Sequence, residues 1–237
     1  MCDLENCDPN DLSRPSVSPT DRRLFLAGAL ALPLATILAN VDLAEAQAAK
    51  GVSIKQTTAD GRTVSAYFAE ADKKDTPVVI LIHEWWGLND NIKTMAEDIR
   101  AKGFHAIAID LFNGSVATNR DEAKTQTKAV KASEANATIA AWVDWAKANG
   151  NGKVATLGWC FGGGWSLSAA LNTKLDAAVI YYGRVTANAD SLQKLNAPLL
   201  GHFGTLDKSI NPEMVGAFQK NLAQAGKSDL MTTHWYT

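Results

Sequence analysis

The stretch that most constrains this chain is a short apolar run, residues 154–157, that leads into Gly-x-Cys-x-Gly and then into an Ala/Leu-rich run. This order predicts a buried strand, a sharp turn and a helix that begins near Phe161. A Cβ at Gly158 or Gly162 would clash with the neighbouring main chain, so the turn needs glycine at both positions. We expect the turn to hold Cys160 in a strained conformation, with its side chain exposed at the end of the strand.

The position of Cys160 suggests a reactive thiol. The predicted helix points free N–H groups and the positive end of its dipole at this residue. We expect that field to lower the pKa of the thiol and to favour the thiolate, which is the nucleophilic form. A strand, turn and helix of this layout carries the nucleophile in α/β-hydrolases, where Ser is commoner than Cys. The alternative is a small buried Cys without a chemical role.

Composition limits the classes that remain. The chain has 237 residues, of which 46% are hydrophobic and 20% are charged, which allows one substantial core and at most two domains. The net charge of −2 provides no broad basic surface, so nucleic acid is not an expected partner. The run Gly162-Gly163-Gly164 is not followed by Lys and Ser/Thr, and it is therefore not a phosphate-binding loop.

The first 48 residues are predicted to be a leader. A polar segment is followed by Arg22-Arg23 and by an Ala/Leu run of mild hydrophobicity, which resembles a twin-arginine export signal. Ala-x-Ala sites at 44–48 suit a signal peptidase, so we expect a periplasmic protein without a stable membrane anchor. An anchored protein is the alternative if the leader stays uncleaved. Cleavage would remove Cys2 and Cys7 and leave Cys160 as the only thiol.

Residues 49–237 are predicted to form one α/β domain. Strands alternate with helices, which indicates a mostly parallel central sheet with helices on both faces. The predicted strands are 51–54, 63–69, 78–82, 104–109, 154–157, 175–182, 197–203 and 230–236, and the predicted helices are 91–102, 120–148 (one or two helices), the helix that starts near 161, 191–195 and 212–224.

Reactive groups of such a sheet collect at the carboxyl ends of its strands. Glu84 follows strand 78–82, and a carboxylate beside a thiol controls where the thiol proton resides; the alternative is a solvated loop residue. The main-chain N–H groups of Trp85 and Phe161 are the candidate oxyanion donors. Asp207 follows strand 197–203, where the acid of a triad is expected after the nucleophile; the alternative is an Asp that caps the next helix.

The histidines do not complete a triad. A catalytic His should follow the last strand, but His234 lies inside it, and His202 is predicted to be a core residue of the strand before. The run His83-Glu84-Trp85-Trp86-Gly87 lacks the second His of a zinc-binding His-Glu-x-x-His motif. We therefore predict neither a metal nor another cofactor.

The combined motifs resemble the dienelactone hydrolase family from about residue 52 to residue 237. The resemblance implies an α/β-hydrolase fold, a Cys–His–Asp triad and cleavage of cyclic enol lactones. It implies that Cys160 is the nucleophile, that Asp207 is the triad acid, that Glu84 hydrogen-bonds the resting thiol and that Tyr182 lines the pocket. The motifs are 83–87, 158–163, 181–183 and 204–207.

Two departures from the family pattern shape the functional expectation. The family places its triad His and one more helix beyond a stretch like His234-Trp235-Tyr236, and this sequence stops before them. Either the sequence is a fragment, or the gene product is truncated, lacks the C-terminal helix and is expected to be impaired as an enzyme. Asn113 and its neighbours stand where lactone-cleaving members carry an Arg for the substrate carboxylate. A neutral ester or lactone is thus as reasonable a substrate as a dienelactone.

The expected pocket binds a small molecule. It is predicted to be lined by Trp86, Phe112, Trp159 and Tyr182. The rival functions are a general carboxylesterase or thioesterase on the same fold and a periplasmic binding protein without catalysis.

Overall fold

The computed structural model describes residues 51–237. The predicted leader, and with it the expectations for export and cleavage, lies outside this range. None of the helices between residues 51 and 237 is long and apolar enough to cross a bilayer.

Eight strands and six α-helices follow one another along this range, and a 3-10 turn at Ser228–Leu230 precedes the last strand. The strands are β1 (Val52–Thr57), β2 (Thr63–Ala69), β3 (Val78–Ile82), β4 (His105–Ile109), β5 (Val154–Trp159), β6 (Ala177–Tyr181), β7 (Leu199–Gly204) and β8 (Met231–Tyr236). The helices are α1 (Asp90–Ala101), α2 (Arg120–Ala129), α3 (Ala132–Asn149), α4 (Phe161–Asn172), α5 (Ala189–Leu192) and α6 (Pro212–Gln224).

The strands form one sheet in the order β1-β2-β4-β3-β5-β6-β7-β8. The pairs β1–β2 and β2–β4 are antiparallel, and every other pair is parallel. The prediction of a mostly parallel sheet is therefore confirmed. Because β3, β5, β6 and β7 run in the same direction, the segments that follow them meet at one edge of the sheet.

Alternating side chains of β3 place helices on both faces of the sheet. Ile80 and Ile82 belong to a core cluster that includes Trp142 of α3, whereas Leu81 belongs to a cluster with Ile92 of α1. A further cluster joins β6 and β7 to α4, α5 and α6. Because helices cover both faces of the sheet at β3, the side chains of this strand are apolar without interruption.

Stacked rings cross the strands β6, β7 and β8. The rings of Tyr181 and His202 lie 4.3 Å apart and nearly parallel, and His202 and His234 lie 5.3 Å apart. His202 Nδ1 is 2.8 Å from the hydroxyl of Tyr236. The prediction that His202 is a core residue is wrong, because this part of the sheet leaves it half-exposed. The prediction that His234 lies within the last strand is confirmed.

Candidate active site

The turn at Cys160 has the predicted strand–turn–helix form. β5 ends at Trp159, α4 begins at Phe161, and Cys160 between them has φ 54° and ψ −114°. A positive φ is costly for any residue with a Cβ, and it turns the side chain out of the strand. The N–H group of Cys160 donates to the carbonyl of Tyr181 at 2.9 Å, which holds the turn against β6.

Glycines make this turn possible because main chains pass one another at contact distance. A Cβ on Gly158 would overlap the main chain of Gly162. A Cβ on Gly162 would overlap the carbonyl oxygens of Ile82 and His83, at the end of β3. The prediction that both positions require glycine agrees with these contacts.

The thiol of Cys160 is free, and the residue has surface open to solvent. Burial of the thiol among the surrounding loops nevertheless raises its pKa, and the negative charges of Glu84 and Asp207 raise it further. The hydrogen bond from the Phe161 N–H acts in the opposite direction. The expectation of a lowered pKa is therefore wrong, because the favourable N–H of the helix is outweighed by burial and by two carboxylates.

Glu84 lies in the loop after β3 and is engaged by a tyrosine. The hydroxyl of Tyr182 donates to Glu84 Oε1 at 2.8 Å. Within residues 51–237, no hydrogen bond joins Glu84 to the sulfur of Cys160, whereas the family resemblance implied one in the resting state. The charge of Glu84 nevertheless acts on the thiol, since it adds to the burial that raises the pKa of Cys160.

His83 connects three of the segments that build the site. Its Nε2 accepts from the N–H of Leu111 at 3.1 Å, so Nδ1 carries the proton and donates to the Glu84 carbonyl at 2.6 Å. Its ring stacks on Phe161 at 6.0 Å. Burial lowers the pKa of His83, against the opposing effects of the Glu84 hydrogen bond and the Asp110 charge. Sequence reasoning missed this residue; the available signal was a His directly after a buried strand.

Two main-chain N–H groups are available at the turn. Among the residues that the structure covers, neither Trp85 N nor Phe161 N donates to a main-chain carbonyl. The loop that carries Trp85 is held by a bond from Gly87 N to the Glu84 carbonyl at 3.3 Å. The Phe161 N–H is hydrogen-bonded to the Cys160 thiol, whereas no hydrogen bond of the Trp85 N–H is found among residues 51–237. An oxyanion hole requires main-chain N–H groups that can turn to the substrate oxygen, and these two remain the candidates.

A family model described as "Dienelactone hydrolase family" matches residues 64–236. The chain belongs to the dienelactone hydrolase family.

Relatives and solved structures agree with the family assignment. A protein of Escherichia coli O157:H7, provisionally named a carboxymethylenebutenolidase, is 31% identical over 185 residues, which are 70% of this chain and 68% of that protein. Carboxymethylenebutenolidase 1 of Cupriavidus pinatubonensis is 24% identical over 198 residues, 78% of this chain and 82% of that one. A crystal structure from Klebsiella pneumoniae, provisionally named a dienelactone hydrolase, has a TM-score of 0.69 at 23% identity and covers 79% of this chain and 85% of its own. The fold is thus that of the α/β-hydrolases.

Asp207, at the position where the family resemblance puts the triad acid, closes a turn. Its Oδ1 accepts from the N–H groups of Ser209 and Ile210 at 2.7 Å and 2.9 Å. The helix that follows, α6, is capped by Asn211 and not by Asp207. All four histidines of the sequence fall within residues 51–237, and none of them hydrogen-bonds to Asp207 or to Cys160 in the described structure.

The four residues of this chain that were predicted to line a substrate pocket form two pairs, which differ in their surroundings. Trp86 lies in the loop after β3 and Tyr182 in the loop after β6, and the ring of Trp86 packs edge-on against Trp85 at 5.2 Å. Phe112 is buried against His83 at 4.6 Å, and Trp159 stacks on Tyr181 at 6.1 Å and packs against the core cluster under α1. Their role in substrate binding stays a prediction.

A cavity of about 200 Å³ lies beside Phe112 and Asn113. Arg62 and Lys131 line it together with Asp110 and Glu134, so its charges are balanced. The described residues contain no group of three or more His, Cys, Asp or Glu side chains that could hold a metal ion.

Proposed function

We propose that this member of the dienelactone hydrolase family cleaves a lactone or ester, with Cys160 as the nucleophile. The observation that carries the proposal is the strained Cys160 at a strand–helix turn, whose thiol already accepts a hydrogen bond from the Phe161 N–H. The names of the two relatives described above, one of them provisional, are those of carboxymethylenebutenolidases and support a lactone or ester as the substrate class.

The proposed reaction is acyl transfer through a thioester. The Cys160 thiol releases its proton to solvent, and the sulfur of the thiolate forms a bond to the substrate carbonyl carbon. The N–H groups of Trp85 and Phe161 stabilise the oxyanion, and one such donor contributes roughly 3 kcal/mol to the rate. The C–O bond then breaks, and the leaving oxygen takes up a proton from solvent. Water hydrolyses the thioester and returns Cys160 to its starting state.

The positions of the histidines limit the class of substrate that we propose. A triad His would protonate a poor leaving group, but no His is bound to Cys160 or Asp207 in residues 51–237. An enolate or a phenolate leaves with little help from an acid. We therefore propose activated esters or enol lactones as substrates, in preference to alkyl esters. With Asn113 in place of a cation, a neutral substrate is favoured.

A burst experiment tests the nucleophile. p-Nitrophenyl acetate should release one equivalent of nitrophenol per chain in a fast phase, and the tryptic peptide 154–174 should carry an acetyl group on Cys160. The Cys160→Ala variant, matched in backbone, should lose both signals. An unlabelled Cys160 in a folded protein that turns over the ester would contradict the proposal. Activity on enol lactones that exceeds activity on aryl esters and thioesters would separate a lactonase from the general esterase and thioesterase alternatives.

A second candidate, a binding protein without turnover, is favoured by the same absence of a His at Cys160 and Asp207 in the described residues. It predicts that an unreactive lactone analogue binds while no acetyl adduct forms. We also propose, from the leader sequence alone, that the protein acts in the periplasm; recovery of the chain in the cytoplasmic fraction would argue against this.

A further inference from the structure

The hydrogen bond between Tyr182 and Glu84 joins two distant parts of the chain at the proposed nucleophile. Tyr182 follows β6 and Glu84 follows β3, and the phenol oxygen lies 2.8 Å from Glu84 Oε1. Of the two carboxylate oxygens, this one is occupied by the phenol. The bond therefore restrains the Glu84 carboxylate, whose charge acts on the Cys160 thiol.

The main chain of Tyr182 is built to aim its side chain. Its φ is 38°, which is unfavourable for a residue with a Cβ and is retained only where the surroundings enforce it. Its N–H donates to the carbonyl of His202 at 2.8 Å. The next residue, Gly183, packs so closely on Gly163 of α4 that neither position has room for a side chain. The tyrosine is thus attached to the same helix that Cys160 begins.

The phenol remains a hydrogen-bond donor at neutral pH. Burial raises the pKa of Tyr182 far above its usual range, and the hydrogen bond to Glu84 and the charges of Glu84 and Cys160 raise it further. A phenol that keeps its proton can donate to a carboxylate but cannot act as a base. The direction of this bond is therefore the same throughout the neutral pH range.

We propose that Tyr182 is a positioning residue that holds the Glu84 carboxylate clear of the Cys160 sulfur and thereby makes the thiol easier to ionise. The inference rests on the proposed function of Cys160. A released Glu84 could accept a hydrogen bond from the S–H group, which would stabilise the thiol over the thiolate. The charged groups that act on the thiol are Glu84 and Asp207, and those that act on Tyr182 are Glu84 and Cys160.

Alkylation of Cys160 by iodoacetamide as a function of pH tests the inference. The rate is measured on the tryptic peptide 154–174, which excludes Cys2 and Cys7, in the full chain. Tyr182→Phe should slow alkylation at neutral pH about threefold to tenfold, the range set by one hydrogen bond, and should move the profile to higher pH. Glu84→Gln removes a charge that disfavours the thiolate, so it should speed alkylation and move the profile to lower pH.

The double variant distinguishes positioning from a direct effect. If Tyr182 acts through Glu84, the combination of Tyr182→Phe with Glu84→Gln should match Glu84→Gln alone. The matched control is Tyr181→Phe, which removes the neighbouring hydroxyl and should leave the profile unchanged. Thermal unfolding verifies that each variant is folded.

Three results would overturn the inference. The first is a pH profile of alkylation that Tyr182→Phe leaves unchanged. The second is a shift of that profile by Tyr182→Phe that is equally large when Glu84 is already Gln, and the third is the same shift in the control Tyr181→Phe. Alkylation does not require ester turnover. A failed burst experiment combined with the expected alkylation pattern would therefore refute the hydrolase proposal while supporting the role of Tyr182.

Discussion

The three consecutive glycines at the start of α4 allow a sharp test of the site's construction. Gly162 and Gly164 are both helical and lie two residues apart, but their surroundings differ. A Cβ at Gly162 would overlap the carbonyl oxygens of Ile82 and His83, which belong to the main chain and cannot rotate away. A Cβ at Gly164 would find its nearest neighbour, the carbonyl oxygen of Arg184, at 3.6 Å, an ordinary contact. The same substitution should therefore have opposite signs at the two positions.

The magnitudes follow from these contacts. Gly164→Ala should stabilise the chain by about 1 kcal/mol, because alanine is the better helix former. Gly162→Ala should destabilise it by roughly 3 kcal/mol or more, since overpacking here meets rigid main chain. For a domain of this size, each 1 kcal/mol shifts the melting temperature by about 2–4 °C. We expect Gly164→Ala to melt higher by about that amount and Gly162→Ala to melt lower by roughly 6–12 °C.

Calorimetry or circular dichroism of the full chain measures both variants. Equal effects at the two positions would refute the claim that Gly162 is required by contact with the end of β3. A stable Gly162→Ala variant with a normal acetylation burst would refute it more strongly.

Three further predictions concern the same site. Burial lowers the pKa of His83 from its ordinary 6.5. Near that pH the unfolded chain therefore gains a proton that the folded chain does not bind, and the free energy of unfolding measured in urea should fall as the pH is lowered from about 7.5 to 5.5. A free energy of unfolding that is constant over this range would contradict the prediction. In Asp207→Asn the side-chain oxygen can still accept hydrogen bonds from Ser209 and Ile210, so the melting temperature should be unchanged. Alkylation of Cys160 should be faster in this variant because a negative charge is lost. Asp207→Ala loses both hydrogen bonds and should be less stable by about 1–2 kcal/mol. Cys160→Gly should raise stability in urea by about 1 kcal/mol, because glycine tolerates the positive φ, while it abolishes acetylation; lower stability would show that the turn is unstrained.

The sequence allowed us to predict the strands and helices and the edge of the sheet at which the candidate site residues lie. Strand 63–69 and helix 212–224 have the predicted bounds, since the first alternates apolar residues between turns and the second begins at a proline and stops before Gly226. The predicted helical region 120–148 divides at residues 130 and 131, which have extended ψ angles. The division agrees with the second of the two alternatives predicted for this region, two helices in place of one.

The chemistry of the site was harder to predict because it depends on side chains far apart in sequence. The direction of the Cys160 pKa depends on the balance between burial and the charges of two carboxylates, which raise it, and the N–H of Phe161, which lowers it. The bond from Tyr182 to Glu84 spans 98 residues. Local patterns gave a candidate for each position, but they could not show which carboxylate oxygen is occupied or that His202 faces a half-open part of the sheet.

The glycine contacts also determine how such a site can change over evolution or in the laboratory. Gly162 lies against the end of β3, and Gly163 lies against Gly183 in the loop after β6, so the three segments are joined by backbone contacts rather than by exchangeable side chains. A mutational library that seeks new substrates should leave these junctions untouched. Diversity is better directed to exposed or half-exposed tips such as Trp86 and Leu206, where residues can be replaced without displacing the nucleophile.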